Sequence, residues 1–251
     1  MAALDEVVSY LDDVLGIARI PDYPGAWNGL QLENGGRVTR IASAVDASLP
    51  VIEKAVASGA DLLLVHHGMF WQGLPQVRGA MFRKLKTAMD AGLAVYSAHL
   101  PLDVHPEWGN NILLAKALGL ESCQPFLDWK GISVGLLGHL QIERDVLAER
   151  LSGVVGGRVH LCPGGPSRID RVAVITGGAG SEVAAVAQAG ADTLVTGEGP
   201  HWSYTLAEEL GINVMYAGHY ATETFGVKAL GHALAQRFGL AWSFLDHPTG
   251  L

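Results

Sequence analysis

Short apolar runs alternate with stretches of helical periodicity along most of this chain. Ile41 to Val45, Asp61 to Val65 and Leu93 to Ala98 read as buried strands. Leu49 to Ser58, Phe82 to Ala91 and Asn110 to Leu118 carry apolar residues at three- and four-residue spacing, which predicts helices. The same order of strand and helix returns from Val172 to Leu240. Met1 to Gly16 places Leu4, Val7, Val8, Leu11, Val14 and Leu15 on one helical face, with Asp5, Glu6, Asp12 and Asp13 interspersed. Between the two copies lie an alternating strand near Ile132 to Leu140, a helix near Val146 to Val154 and a strand near Arg158 to Cys162. The expectation is an α/β protein made of two similar, intimately packed units, with mainly parallel sheets covered by helices.

The duplication is visible residue by residue. Gly59-Ala60-Asp61-Leu62-Leu63 matches Gly190-Ala191-Asp192-Thr193-Leu194, and the same offset pairs Ala42 with Ala173, Gly68 with Gly199 and Trp71 with Trp202. A second, shorter offset pairs Tyr96-Ser97-Ala98-His99 with Tyr216-Ala217-Gly218-His219 and runs on to Leu120 and Leu240. The first copy is therefore longer between the two stretches, in the segment Gln72 to Gly92. Repeat cores span 40–120 and 171–240, giving a first unit over 1–124 and a second over 125–251. Cys162-Pro163-Gly164-Gly165-Pro166 is the clearest break.

Composition narrows the class. Hydrophobic residues make up 49% and charged residues 17%, values of a globular protein rather than a disordered chain. The formal charge of −8 argues against a general nucleic-acid binder. Cys123 and Cys162 are far apart and neither belongs to a CxxC pair, so both are expected reduced and buried. No apolar run is long enough for a membrane span, and the acidic N-terminal helix does not resemble a secretory signal, so the expected location is cytoplasmic.

Candidate chemistry gathers at strand ends, where ligands collect in open parallel sheets. The strand Asp61 to Val65 delivers His66 and His67. Leu93 to Ala98 delivers His99, with Asp103 four residues on. Asn213 to Gly218 delivers His219, with Glu223 four residues on. Imidazole mixed with carboxylate suits Zn, Fe or Mn. Adjacent histidines on an extended strand face opposite ways, so two ions bridged by a carboxylate accommodate them better than one. A lone strand-end histidine is usually only a hydrogen-bonded polar residue; this set stands in register across a repeat. Glu198 takes the place of His67 in the second copy and His201 follows it; with His99 they are candidates for proton transfer or for holding the ligands. Gly177-Gly178-Ala179-Gly180-Ser181 is either a phosphate cradle or, the preferred reading, a tight turn. Arg78, Arg83, Lys84 and Lys86 read as a solvated helix face, with contact to an anionic substrate as the alternative. His105, His139, His160, His232 and His247 have no assignable role.

Val65-His66-His67-Gly68-Met69-Phe70, His99-Leu100-Pro101-Leu102-Asp103, Gly109-Asn110-Asn111, Thr196-Gly197-Glu198 and Gly218-His219-Tyr220-Ala221-Thr222-Glu223 resemble the motifs of the YbgI-like dinuclear metal-centre family, often labelled GTP cyclohydrolase type 2-like. The likeness covers nearly the whole chain, in the compact form without an inserted domain. It implies a toroidal hexamer and two divalent ions per chain. One ion falls to His67 and Asp103 and the other to His66 and His219, with Glu223 bridging and His99 just outside. The stretch Trp27-Asn28-Gly29-Leu30-Gln31 is a shortened form of a family motif, which leaves its role open. The expected function is metal-dependent hydrolysis of a small substrate, such as a nucleotide or phosphoester. The alternative is non-enzymatic metal storage or delivery, or a metal-stabilised adaptor.

Overall fold

The computed structural model describes residues 1–71 and 76–251. In chain order the elements are β1 (Ala2–Ala3), α1 (Leu4–Leu15), β2 (Gly29–Leu32), β3 (Arg37–Val38), β4 (Arg40–Asp46), α2 (Leu49–Ala57), β5 (Leu62–His67), α3 (Gly79–Asp90), β6 (Ala94–Ser97), α4 (Leu100–Asp103), α5 (Asn110–Leu118), β7 (Glu121–Trp129), β8 (Ile132–Glu143), α6 (Arg144–Val155), β9 (His160–Pro163), β10 (Arg168–Val174), α7 (Val183–Gln188), β11 (Thr193–Thr196), α8 (His201–Leu210), β12 (Asn213–Tyr216), α9 (His219–Thr222), α10 (Thr224–Phe238) and β13 (Ala241–Phe244). Gln72–Pro75, part of the segment that lengthens the first copy, lie outside the described residues.

Packing divides the chain into unit 1, Met1–Leu102 with Gly226–His247, and unit 2, Asp103–Phe225 with Pro248–Leu251. Repeat boundaries and packing boundaries therefore differ. The third helix of the first copy, α5, belongs to unit 2, while β13 and nearly all of α10 belong to unit 1. The packed bodies are thus not sequential halves of the chain, as a division at 124/125 would make them.

In unit 1 the sheet order is β13-β4-β5-β6-β2. β13, β4, β5 and β6 run parallel, and β2 closes the edge antiparallel to β6. β5 reads Leu-Leu-Leu-Val-His-His because both its faces are covered, which leaves no polar alternation for a sequence reading to find. Ala42, Ala44, Leu63, Val65 and Val95 form one core with Val51, Ile52 and Ala55 of α2 and Ala88 of α3. α1 buries Leu4, Val7, Leu11 and Leu15, and Gly16 ends it in the left-handed region (φ 63°), donating to the carbonyls of Asp12 and Asp13.

In unit 2 the order is β7-β8-β10-β11-β12-β9. β10, β11 and β12 are parallel, whereas β7, β8 and β9 pair antiparallel, so the expected parallel character is confined to the centre of this sheet. The period of two decides the layers. Val172, Val174, Val195 and Met215 face α5 and α6. Ala173, Ile175, Leu194 and Val214 face α7 and α8. The hairpin β7–β8 turns at Lys130 and Gly131, both with positive φ (51° and 84°), the signature of a tight two-residue turn. Cys162 is buried, but Cys123 is only half-buried, because it sits on the exposed edge strand β7; both thiols are free. Among the described residues no helix is long and apolar enough to cross a membrane.

Candidate metal centre

Unit 1 places its histidines at the carboxyl ends of β5 and β6. His66 and His67 are the last two residues of β5, and His99 lies just beyond β6. Each of the three offers a ring nitrogen within 4.8 Å of the others'. Ring centroids are 4.8 Å apart for His66–His67 and for His66–His99, and 5.6 Å for His67–His99. His66 is fully buried.

The Nδ1 partners explain the orientation. His66 Nδ1 donates to the carbonyl of Ala98 at 2.9 Å. His67 Nδ1 meets Asp46 Oδ1 at 2.9 Å, from the end of β4. His99 Nδ1 meets the two oxygens of Asp22 at 2.9 and 3.1 Å. A carbonyl and a carboxylate can only accept, so each Nδ1 carries a proton, and the neutral ring has its lone pair on Nε2. That tautomer, fixed by carboxylate or carbonyl, is the one used by metal-ligating histidines. Burial alone would raise the Asp22 carboxyl; hydrogen bonding and charge from His99, with hydrogen bonds from Asn28 and the Tyr23 amide, outweigh it and hold the group below its usual range.

β2 and the loop before it build the support. Asn28 donates to Asp22 (2.8 Å) and accepts the His99 amide (2.7 Å). Gln31 accepts the Met69 amide at 2.7 Å and donates to the Trp27 carbonyl at 2.8 Å. Gly68 makes this possible, because a Cβ there would collide with the Gln31 amide. The shortened Trp27–Gln31 stretch thus serves the histidine cluster. Trp71 packs edge-on to His99 (4.5 Å) and His67 (5.3 Å). Of the basic residues on and before α3, Arg78 and Arg83 are exposed and Lys86 pairs with Asp90. Lys84 is half-buried, which lowers its ammonium pKa against the opposing field of Asp46.

Unit 2 presents carboxylates with one imidazole. His219 begins α9, and Glu223 follows it, with a side chain only 3% exposed. His219 Nε2 lies 3.1 Å from Glu223 Oε1, and its Nδ1 lies 2.8 Å from Glu198 Oε1. Gly177, with φ +70°, leaves the space that the Glu223 carboxylate fills; a Cβ there would strike Oε1. The loop it begins spends its donors internally. Gly177 donates to Thr222 Oγ1, Ala179 to Thr196 Oγ1 and Gly180 to the Glu198 carbonyl. This is a tight turn wrapped on Glu223, with those three amides already committed. Asp103 is nearly buried, takes a hydrogen bond from Asn110 (2.8 Å) and has Thr176 Oγ1 at 3.4 Å. Asn111 accepts the Thr176 amide at 2.9 Å, which joins α5 to the end of β10. His201 opens α8 and is exposed.

Of the residues singled out in the sequence, unit 1 brings together His66, His67 and His99. Unit 2 brings together Glu198, His219 and Glu223, and holds Asp103 between Asn110 and Thr176. Asp22 and Asp46 were missed, and Asn28 and Gln31 belong to the stretch whose role the sequence left open. Asp46 had a legible signal, since it ends the first strand of the repeat as His67 ends the second. The donors fit a divalent ion: imidazoles held on Nδ1 and carboxylates held in place, with the free thiols elsewhere raised by burial and so protonated.

His219 carries a testable consequence. Partial burial pulls its pKa down, but hydrogen bonds and charge from Glu223 and Glu198 outweigh this and raise it to about 9 in the metal-free protein. A raised folded-state pKa stabilises the fold below the unfolded value near 6.5, and that contribution disappears as pH rises through about 9. An NMR titration of the metal-free imidazole is expected to give a midpoint near 9, moving toward 6.5 in Glu198→Gln. An unmoved midpoint in the variant would remove Glu198 as its partner.

The pattern of the Duf34/NIF3 (NGG1p interacting factor 3) family matches residues 2–249. A relative from Deinococcus radiodurans named "GTP cyclohydrolase 1 type 2 homolog" is 43% identical, over 98% of this chain and 94% of its own. One of the same name from Pyrococcus horikoshii is 44% identical, over 98% and 99%. Among solved structures, TTHA1606 from Thermus thermophilus superposes with a TM-score of 0.90 at 40% identity, over the full length of both chains. A protein described as "protein ybgI, unknown function" does so with a TM-score of 0.93 at 35% identity, again over both full lengths.

Proposed function

The chain belongs to the Duf34/NIF3 family, and on that premise we propose that it is a metal-dependent hydrolase acting on a small substrate, built on two divalent ions of the Zn, Fe or Mn class. The observation that carries the reading is the shared state of the histidines. His66, His67, His99 and His219 each have Nδ1 engaged by a carbonyl or carboxylate, which turns Nε2 toward the centre as the ligating atom; at His219 that nitrogen faces Glu223 Oε1 and would give up its proton on metal uptake. His66, His67, Asp103, His219 and Glu223 would hold the ions, with the Glu223 carboxylate shared between them. Bound ions would supply Lewis acidity, polarising an electrophile and easing deprotonation of water.

The chain's own residues then have distinct tasks. Asp46, Asp22 and Glu198 hold imidazoles in one tautomer and one orientation. Asn110 orients the Asp103 carboxylate. Trp71 covers the edges of His67 and His99 and limits water there. Glu198, 47% exposed and hydrogen-bonded to His219, is placed to pass a proton between His219 and solvent. The name borne by the curated relatives suggests a nucleotide ring or phosphoester as substrate; the same reading carries a homohexamer and a cytoplasmic setting.

The test is hydrolysis of a panel of nucleotides and phosphoesters by metal-loaded protein, beside Asp103→Ala. Activity is expected to fall by about 100-fold or more in the variant, in line with loss of an inner ligand rather than of its outer support. Undiminished hydrolysis by a folded, metal-depleted Asp103→Ala protein would show that this site is not catalytic and sink the metal-dependent reading.

A further inference from the structure

In unit 2 the start of α8 and the ends of β9, β11 and β12 border an open cleft of about 420 Å³, lined by His160, Glu198, Pro200, His201, Tyr204 and Tyr216. Its volume lies within the range of small-molecule sites. Three of its walls are rings. The His160 imidazole lies 5.7 Å from the Tyr204 ring and 6.1 Å from the Tyr216 ring, the latter pair close to parallel (29°). The Tyr216 ring is anchored by its hydroxyl, 2.7 Å from Ser203 Oγ. Ser203 is in turn fixed to the Pro200 carbonyl at 2.6 Å, so this wall is preformed.

Glu198 is the one carboxylate of the lining, beside the imidazoles of His160 and His201 and the phenols of Tyr204 and Tyr216. Glu198 supplies a half-exposed carboxylate, and neither Lys nor Arg lines the space. A carboxylate accepts hydrogen bonds at both oxygens, and only Oε1 is committed to His219. Aromatic faces favour a planar π-system, and an accepting carboxylate at the rim favours an edge of N–H donors. Among the described residues no Lys or Arg lines the cleft, and the Glu198 carboxylate repels an anion, which disfavours a phosphate or carboxylate group there; the two imidazoles, His160 and His201, are the only basic groups.

We propose that this cleft binds a planar nitrogen heterocycle with an amidine-type edge, a ring N–H beside an exocyclic amino group, stacked on the tyrosines with that edge on Glu198. The same carboxylate holds His219, so the bound ring sits one residue from a proposed metal ligand. This consequence rests on the metal-centre reading; the cleft itself does not.

The probes are 2-aminobenzimidazole, which has the amidine edge, and benzimidazole, which keeps the ring and lacks the amino group. Both are titrated by NMR into metal-loaded and metal-stripped protein. The expected result is saturable binding of 2-aminobenzimidazole at one site per chain, at least 5-fold tighter than benzimidazole. Glu198→Gln should erase that preference. Tyr204→Ala should weaken both probes at least 10-fold, while Tyr204→Phe, which keeps the ring, should bind as the parent does. Equal affinity for the two probes in the parent protein, or indifference to Tyr204→Ala, would overturn the proposal. Metal content, measured on the same samples, separates the two readings. Binding without metal in the loaded protein leaves the cleft and removes the centre, and metal without binding does the reverse.

Discussion

Gly177→Ala is expected to lower the melting temperature by roughly 10 °C and to abolish metal binding, while Gly178→Ala changes neither. Two effects add at Gly177. Its φ of +70° is a left-handed conformation, which costs an L-residue about 1–2 kcal/mol. Its new Cβ would also strike Glu223 Oε1, and displacing a buried carboxylate from its setting costs about 1–3 kcal/mol more. Backbone relaxation has little room, because the Gly177 amide is bonded to Thr222 and its carbonyl receives the amides of Gly197 and Glu198. At Gly178 a Cβ would meet Glu198 and His219 atoms at 3.7 Å, an ordinary contact. Thermal melts and metal analysis of the two variants check this. Equal behaviour would show that the turn is not shaped around Glu223.

Acid should release the metal steeply. Free imidazoles titrate near 6.5, and each must lose its proton to ligate, so affinity is expected to fall by about 1000-fold or more between pH 7 and pH 5. The sign is fixed by competition: protons and metal seek the same Nε2 lone pairs, so lower pH always favours release. His219 adds a further feature. With a metal-free pKa of about 9, it already holds a proton at neutral pH, so metal uptake at pH 7.5 should expel close to one proton from that residue alone. Calorimetry in buffers of different ionisation enthalpy counts those protons. Metal affinity that is flat down to pH 5 would argue against histidine ligation altogether.

The outline of both expectations is legible in the sequence. His66, His67, His99, Asp103, His219 and Glu223 stand out because a duplicated strand-helix pattern puts them at strand ends, and chain order alone reveals that. The turn reading of Gly177–Ser181 was also accessible, although its purpose, making room for Glu223, was not. What escaped the sequence depends on long-range packing. β13 is a four-residue strand whose reason to exist is its pairing with β4, nearly the whole chain away. β7 is an edge strand with Pro125 and mostly exposed side chains, so it shows neither alternation nor a buried run. The exchange of α5 and of α10–β13 between units cannot be seen in a repeat, since the repeat reports ancestry and packing reports contact. Asp22 and Asn28 sit in a loop with no periodicity, and only the fold brings them to His99.

The most direct test of the central claim is elemental analysis of metal per chain in untagged protein beside Glu223→Ala. Two transition-metal ions per chain in the parent, falling to one or none in the variant, is the result expected of a carboxylate-bridged pair. A parent protein that holds no metal, even after anaerobic loading with Fe, Mn and Zn, would contradict the account and leave a duplicated α/β scaffold whose strand-end histidines serve another purpose.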